Sequence, residues 1–286
     1  MTKLAAWQAD LLLLGVAAIW GATFITVKNV LGGISPFVFI SIRFTLAFLF
    51  LLLIFRPGKE LLKKDNLKAG GIIGLFLFGG YALQTVGLKY TSAAKAGFIT
   101  GLSVVLVPLL SIFISKKLPN LYVMGGALLA SSGLALMTLD EHLSFHLGDL
   151  LILLCALSFA LHIITIGIFA PRGDTTILTI MQIGLVALLS FLLTFFLPQE
   201  SWRITWQKDV WISLGLTSIP ATSLAILIQN RVQQYTSPSR TAIIFATEPV
   251  FGAFFAWYYG GEILTTRALW GAALILSGML LAELRE

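Results

Sequence analysis

Apolar residues fall into long uninterrupted blocks along this chain, and polar residues collect in short links between them. The blocks run over residues 10–28, 36–55, 69–88, 93–115, 121–139, 148–170, 175–197, 209–230, 239–259 and 267–284. Each is close to the roughly 20 residues with which an α-helix crosses the hydrocarbon core of a bilayer. Strands of a membrane barrel would instead alternate apolar and polar residues over about ten positions. Backbone groups in lipid must bond within their own segment, so continuous apolar runs of this length predict helices. The expected fold is an all-α integral membrane protein with ten transmembrane helices and links too short to hold a soluble domain.

Composition agrees with that pattern. Of the 286 residues only 11% are charged and 58% are hydrophobic, where a soluble domain carries about 25% charged residues. The first block follows a short amino terminus, as a signal peptide would. Its apolar run to Val27 is longer than a signal core and nine further blocks follow, so it reads as a retained first helix. The lone cysteine, Cys155, has no internal disulfide partner and reads as a small packing residue. No phosphate-binding G-x-x-x-x-G-K-[ST] loop, no H-E-x-x-H pair and no Cys/His cluster occurs, so neither ATP, a metal nor any other cofactor is predicted.

The net charge of +6 is explained by where the cations sit. The link "RPGKELLKKDNLK" holds Arg56, Lys59, Lys63, Lys64 and Lys68, whereas "DEHLSFHLGD" at 140–149 holds no Lys or Arg. Lys and Arg accumulate on the cytoplasmic side, which predicts that both termini are cytoplasmic. No nucleic-acid partner is needed to account for the basic balance.

The chain also repeats itself. "YTSAAK" at 90–95 returns as "YTSPSR" at 235–240, 145 positions on, and Tyr90–Leu139 aligns without gaps on Tyr235–Leu284. Gly126/Gly271 and Gly133/Gly278 match within this alignment. Earlier, "DLLLLGVAAIWGATFITV" from Asp10 is similar to "DLLILLCALSFALHIITI" from Asp149, at a spacing of 139. Two halves result, 10–139 and 148–284, with five spans each. Five is odd, so the second half enters the membrane from the opposite side. Inverted repeats around a midplane site are a recurrent architecture of secondary transporters.

Polar residues deep in a span are the candidate site. Glu248 lies eight residues past Arg240, about 12 Å along the helix, where a carboxylate is costly and marks pathways or proton relays. Pro249 beside it is expected to free the backbone carbonyl near Phe245. Arg43 lies about 10 Å past Pro36; it is placed to bind a substrate carboxylate, to pair with Glu248, or to snorkel to lipid phosphate. Its repeat mate Gln182 is a weaker candidate. Trp20, Thr23 and Val27 share a helix face. His162, the mate of Thr23, titrates near neutral pH in water and is a candidate proton relay. Tyr81 and Gln84 offer a ring and an amide one turn apart. Gln229 and Asn230 are assigned to an interface where polarity is cheap, and Glu262 to a solvated helix end. "GFITG" at 97–101 and "GGALLASSG" at 125–133 read as close-packing faces rather than ligand cradles. They would serve internal packing and oligomer contacts alike, which leaves the oligomeric state open.

The motifs "WGATF", Arg43-Phe44, "YTSAAKAG" and "EPVFGAFFAWYYGGEILTTRALWGAALILSG" from Glu248 resemble the drug/metabolite transporter superfamily, EamA type, of bacterial inner membranes. The resemblance covers the whole chain and is most specific from Glu248 to Gly278. It implies two five-span halves and the movement of small metabolites, often the export of amino acids. Ser103 and Lys117 stand where the repeat pairs Glu248 and Glu262, so the first-half site is less polar than the family pattern. The expected function is secondary transport of an amino acid or related compound, by alternating access, with protons as a candidate coupling ion and lipid as the surrounding partner. A lipophilic cation, drug or nucleoside is the alternative substrate. A channel or an intramembrane enzyme is the alternative class, although no nucleophile and base converge in the sequence.

Overall fold

A computed structural model describes residues 5–116, 119–138, 146–260 and 263–283. These residues are helical with short connections, and no strand occurs among them. In chain order the helices are α1 (Ala6–Val30), α2 (Pro36–Phe55), α3 (Lys64–Gly87), α4 (Ala93–Gly101), α5 (Ser103–Ser115), α6 (Leu121–Thr138), α7 (Leu147–Phe169), α8 (Thr175–Phe196), α9 (Lys208–Ser218), α10 (Ala225–Val232), α11 (Pro238–Phe245), α12 (Glu248–Gly260) and α13 (Thr266–Glu283). Among the described residues, seven helical segments are long and apolar enough to cross a membrane, and Leu121–Met137 and Thr266–Ala282 form shorter apolar helices. Large side chains such as Leu53, Phe113, Phe196 and Trp270 are exposed on the outside of the bundle, the surface a hydrocarbon solvent requires. Glu262, expected as a solvated charge, and Lys117 lie outside the described residues, as does most of the 140–149 link.

Three of the apolar blocks are not continuous helices. Block 93–115 is α4 and α5, separated at Leu102, and block 239–259 is α11 and α12, separated at Ala246–Thr247. The breaks fall at repeat-equivalent positions, since Leu102 and Thr247 are 145 apart. Both remain hydrogen-bonded: the Leu102 N–H donates to the carbonyls of Phe98 and Ile99, and the Ala246 N–H to those of Ala242 and Ile243. Pro249, read from the sequence as a helix-breaking residue, follows this break and sits in the first turn of α12, where a missing N–H costs nothing. Block 209–230 is interrupted by a π-helical turn at Ile219–Leu224, between α9 and α10.

The repeated hexapeptide is a helix start. Ser92 Oγ accepts from the Lys95 N–H at 3.1 Å, and Ser237 Oγ accepts from the Arg240 N–H at 3.2 Å, capping α4 and α11 identically. The repeated glycines are a crossing. A Cβ on Gly126 would stand 2.5 Å from the Gly278 carbonyl oxygen, and one on Gly133 would stand 2.5 Å from that of Gly271. Exchanging repeat mates turns one contact into the other, so α6 and α13 meet about a local two-fold relation. The same relation packs α1 against α11 and α12, and α7 against α4 and α5. Each half's first helix thus rests on the other grouping's broken one.

Apolar clusters hold the bundle together at two levels. Leu13, Ala17, Val107, Ile164, Val232 and Ala242 pack near the end that carries the amino terminus, and Val30, Val38, Phe39, Leu88, Ile152 and Leu214 pack near the other. At that second end the half-buried Glu200, in the link before α9, accepts from the N–H groups of Phe37 (3.0 Å) and Val38 (3.3 Å) and so covers the start of α2. Burial raises its pKa above the ordinary carboxylate value, partly offset by those two hydrogen bonds and by Lys89.

Two predictions follow from these contacts. Gly133→Ala forces α6 off α13 and should destabilise the protein by about 1–3 kcal/mol, whereas Gly15→Ala, whose Cβ meets nothing within 4 Å, should be neutral or stabilising by up to about 1 kcal/mol; chemical unfolding in detergent compares them. For Glu200 the folded state holds its proton to higher pH than the unfolded chain does. Its contribution is therefore fully present below the ordinary carboxylate range and lost as pH rises through the folded value. Melting temperature should fall across that window in the parent protein, and the fall should be smaller in Glu200→Gln.

Candidate functional site

A cavity of about 480 Å³ opens between α1, α3, α4, α7 and α12. Trp20, Thr23, Arg43, Tyr81, Gln84, Ser103, His162, Glu248 and Pro249 all line it. Val27, Leu88, Gly97, Met137 and Ala268 carry the lining to the helix ends opposite the amino terminus. At the amino-terminal end the lining stops at Gln229, in the last turn of α10.

The π-turn organises one wall. A π-turn leaves carbonyls without their usual i+4 donors, and here side chains supply the donors. The Thr222 hydroxyl donates to the Thr217 carbonyl at 2.7 Å, and the Ser223 hydroxyl donates to that of Ser218 at 3.0 Å. The Ala221 carbonyl instead accepts from Trp20 Nε1 at 2.8 Å, which fixes the indole from α1. With its proton spent on Thr217, Thr222 Oγ1 presents lone pairs to Arg43, whose Nε donates to it at 2.8 Å. Arg43 Nη2 donates to the Tyr81 hydroxyl at 3.4 Å, and the guanidinium carbon lies 4.7 Å from the Tyr81 ring centroid. Arg43 is 5% exposed. Among the described residues it has no carboxylate at ion-pair distance, so it neither pairs with Glu248 nor reaches out towards lipid.

Glu248 enters from the first turn of α12. Gly21 makes that approach possible, because a Cβ there would stand 2.5 Å from the Glu248 carbonyl oxygen. The glycine of "WGATF" therefore lets α1 pack closely on the start of α12. Among the described residues the Glu248 side chain has no hydrogen-bond or ion-pair partner, and the residue lines the cavity. On the α7 side His162 Nε2 lies 2.7 Å from Gln182 Oε1, while Gln182 Nε2 donates to the Leu178 carbonyl at 3.3 Å. That amide orientation makes Nε2 the protonated imidazole nitrogen. Gln84 Nε2 reaches Thr100 Oγ1 at 3.5 Å.

Several placements differ from the sequence reading. Gln229 and Asn230 are not at a cheap interface: they are 1% and 0% exposed, and Gln229 lines the cavity. A signal was present, since Gln84 and Gln229 are 145 apart and both are glutamine. The "GFITG" segment is only partly a packing face: Gly101 meets Leu134, but Gly97 borders open cavity. The roles of Thr222 and Ser223 have no signal in the sequence, because nothing in a run of small residues announces a π-turn.

The arrangement holds one desolvated cation and one carboxyl group in a single low-dielectric space, with neither neutralising the other. Thr222→Val should remove the Arg43 contact and the Thr217 donor together. A cost of about 1.5–3 kcal/mol is expected, read by chemical unfolding in detergent, with Thr222→Ser close to the parent.

Comparison with known proteins completes the assignment. Residues 7–139 and 146–284 each match the EamA-like transporter family. A protein of Archaeoglobus fulgidus named as an uncharacterized transporter is 38% identical, over 97% of this chain and 86% of its own. The Bacillus subtilis transporters YyaM and YoaV are 30% and 26% identical and cover 96% and 93% of this chain, with 92% and 94% of their own lengths matched. A crystal structure at 20% identity superposes with a TM-score of 0.83, covering 97% of each chain, and shares the fold. Family and relatives are transporters rather than enzymes, and a small-molecule substrate follows from that. This chain is a multi-pass membrane protein that belongs to the EamA-like transporter family.

Proposed function

We propose that this transporter exports a small zwitterionic metabolite, an amino acid or related compound, across the bacterial inner membrane by alternating access. In this reading ten spans form two inverted halves, 10–139 and 148–284, with both termini cytoplasmic. The observation that carries it is the pair of opposite, mutually unpaired groups in one cavity, Arg43 and Glu248. A buried guanidinium without a counter-ion gains most from a substrate carboxylate. A carboxylate across the cavity suits an ammonium group, or takes up the proton that drives exchange. Trp20, Tyr81, Phe159 and Phe245 also line the space, and with Glu248 they favour a lipophilic cation as the second reading. Arg43 repels such a cation, which places it second.

An amino-acid panel in lipid vesicles, with and without a pH gradient, tests the assignment. Saturable counterflow of a zwitterionic amino acid is the expected result, whereas a channel gives no counterflow. Glu248→Gln should keep a nearly parental folded yield and lose transport by about tenfold or more, or lose its pH dependence. Unchanged kinetics and pH profile in that variant would leave Glu248 a structural residue. Counterflow confined to lipophilic cations would favour the second reading.

A further inference from the structure

Four charged residues outside the cavity wall repeat the duplication. Asp10 and Asp149 are repeat mates at a spacing of 139, and Lys95 and Arg240 are mates at 145. By sequence the two cations mark only opposite sides of a membrane. In the fold each pairs with an acid from the other half. Arg240, in the first turn of α11, hydrogen-bonds and ion-pairs with Asp10 of α1. Lys95, in the first turn of α4, lies 3.9 Å from Asp149 at the start of α7. One pair sits at each end of the bundle, and each joins the first helix of one half to the broken helix of the other.

The chemistry of the pairs is the same but their states differ. At the amino-terminal end the Arg240 and Asp10 side chains are 9% and 13% exposed and in direct hydrogen-bond contact, beside the apolar cluster that contains Leu13 and Ala242. At the other end the Lys95 and Asp149 side chains are 13% and 3% exposed and form an ion pair at 3.9 Å, beyond hydrogen-bonding distance. There the Asp149 carboxylate accepts from the Thr91 hydroxyl and the His146 N–H. This is the end the cavity reaches. A second repeat pair reports the same difference. Gly97 borders the cavity, with nothing within 4 Å of an added Cβ, while its mate Ala242, 145 residues on, is 1% exposed.

We propose that Asp10–Arg240 and Lys95–Asp149 are a pair of alternating latches, the one in direct hydrogen-bond contact holding its end of the cavity shut. The proposal rests on the alternating-access reading and adds the contacts that govern it. Separating a buried ion pair is costly because each charge loses its partner before water replaces it. Opening one end is therefore affordable only if an equivalent pair engages at the other, and the duplication supplies that equivalent. The latches are not equal. A guanidinium makes a directional fork with a carboxylate, whereas an ammonium is a point charge. Arginine at 240 thus biases the resting protein towards closure at the amino-terminal end, the state seen in the structure.

Thiol accessibility tests this without a substrate. On a Cys155→Ser background, Gly97→Cys and Ala242→Cys, introduced singly, are labelled with a water-soluble maleimide in detergent. Gly97→Cys should react fast and Ala242→Cys slowly. Adding Arg240→Lys or Asp10→Asn should accelerate Ala242→Cys and slow Gly97→Cys, each by about fivefold or more. Lys95→Arg should move both reporters in those same directions, and Asp149→Asn should move them oppositely. If Asp10→Asn reduces folded yield, Arg240→Lys keeps the charge and still weakens the fork. In monodisperse protein with a parental melting temperature, both reporters rising together, or neither moving, would overturn the latches. Reciprocal labelling without counterflow of any amino acid would retain the latches and overturn the substrate assignment. Saturable counterflow with unlinked labelling would overturn the latches alone.

Discussion

Every backbone polar group in a hydrocarbon solvent must find its partner inside the protein, and the architecture of this chain follows from that rule. It makes each apolar block helical and confines irregular backbone to places where side chains or a cavity take over. The π-turn at Ile219–Leu224 shows what this demands. Its displaced carbonyls are satisfied by Thr222, Ser223 and Trp20. Because they are satisfied that way, the same turn holds an indole from α1 and a guanidinium from α2 in fixed positions. A local defect in one helix has become the anchor for two cavity residues from the other half.

Duplication supplies the second ordering principle. Where the repeat mates are alike, they build equivalent contacts: the Ser92 and Ser237 caps, the glycine crossing of α6 with α13, and the crosswise acid–base pairs. Where they differ, they build the chemistry. Arg43 answers to Gln182, Thr23 to His162, and Ser103 to Glu248. The scaffold is therefore near-symmetric, while the charges in the cavity are not. A symmetric scaffold can exchange the environments of its halves, and an asymmetric cavity can still recognise one orientation of a solute.

The differences between repeat mates also give the observed state physical content. Gly97 faces open space and Ala242 is packed away, although the two are repeat mates. The contrast reflects how each segment packs against its neighbours, α4 beside α7 and α11 beside α1.

The sequence by itself determined the class of solvent, the helical fold, the duplication and the family. Composition and period are local quantities, and a 20-residue apolar run has few other physical outcomes. It also singled out nine residues that line one cavity, because a polar side chain deep in an apolar run is costly wherever it points. Only the tertiary structure decided what those residues touch. Arg43 meets Thr222 rather than Glu248, Gln229 is a cavity residue, and Arg240 and Lys95 are members of ion pairs rather than free charges. Each of those facts depends on contacts between residues more than 50 positions apart in the chain. Such contacts are set by how helices cross, and hydropathy carries no record of the crossing.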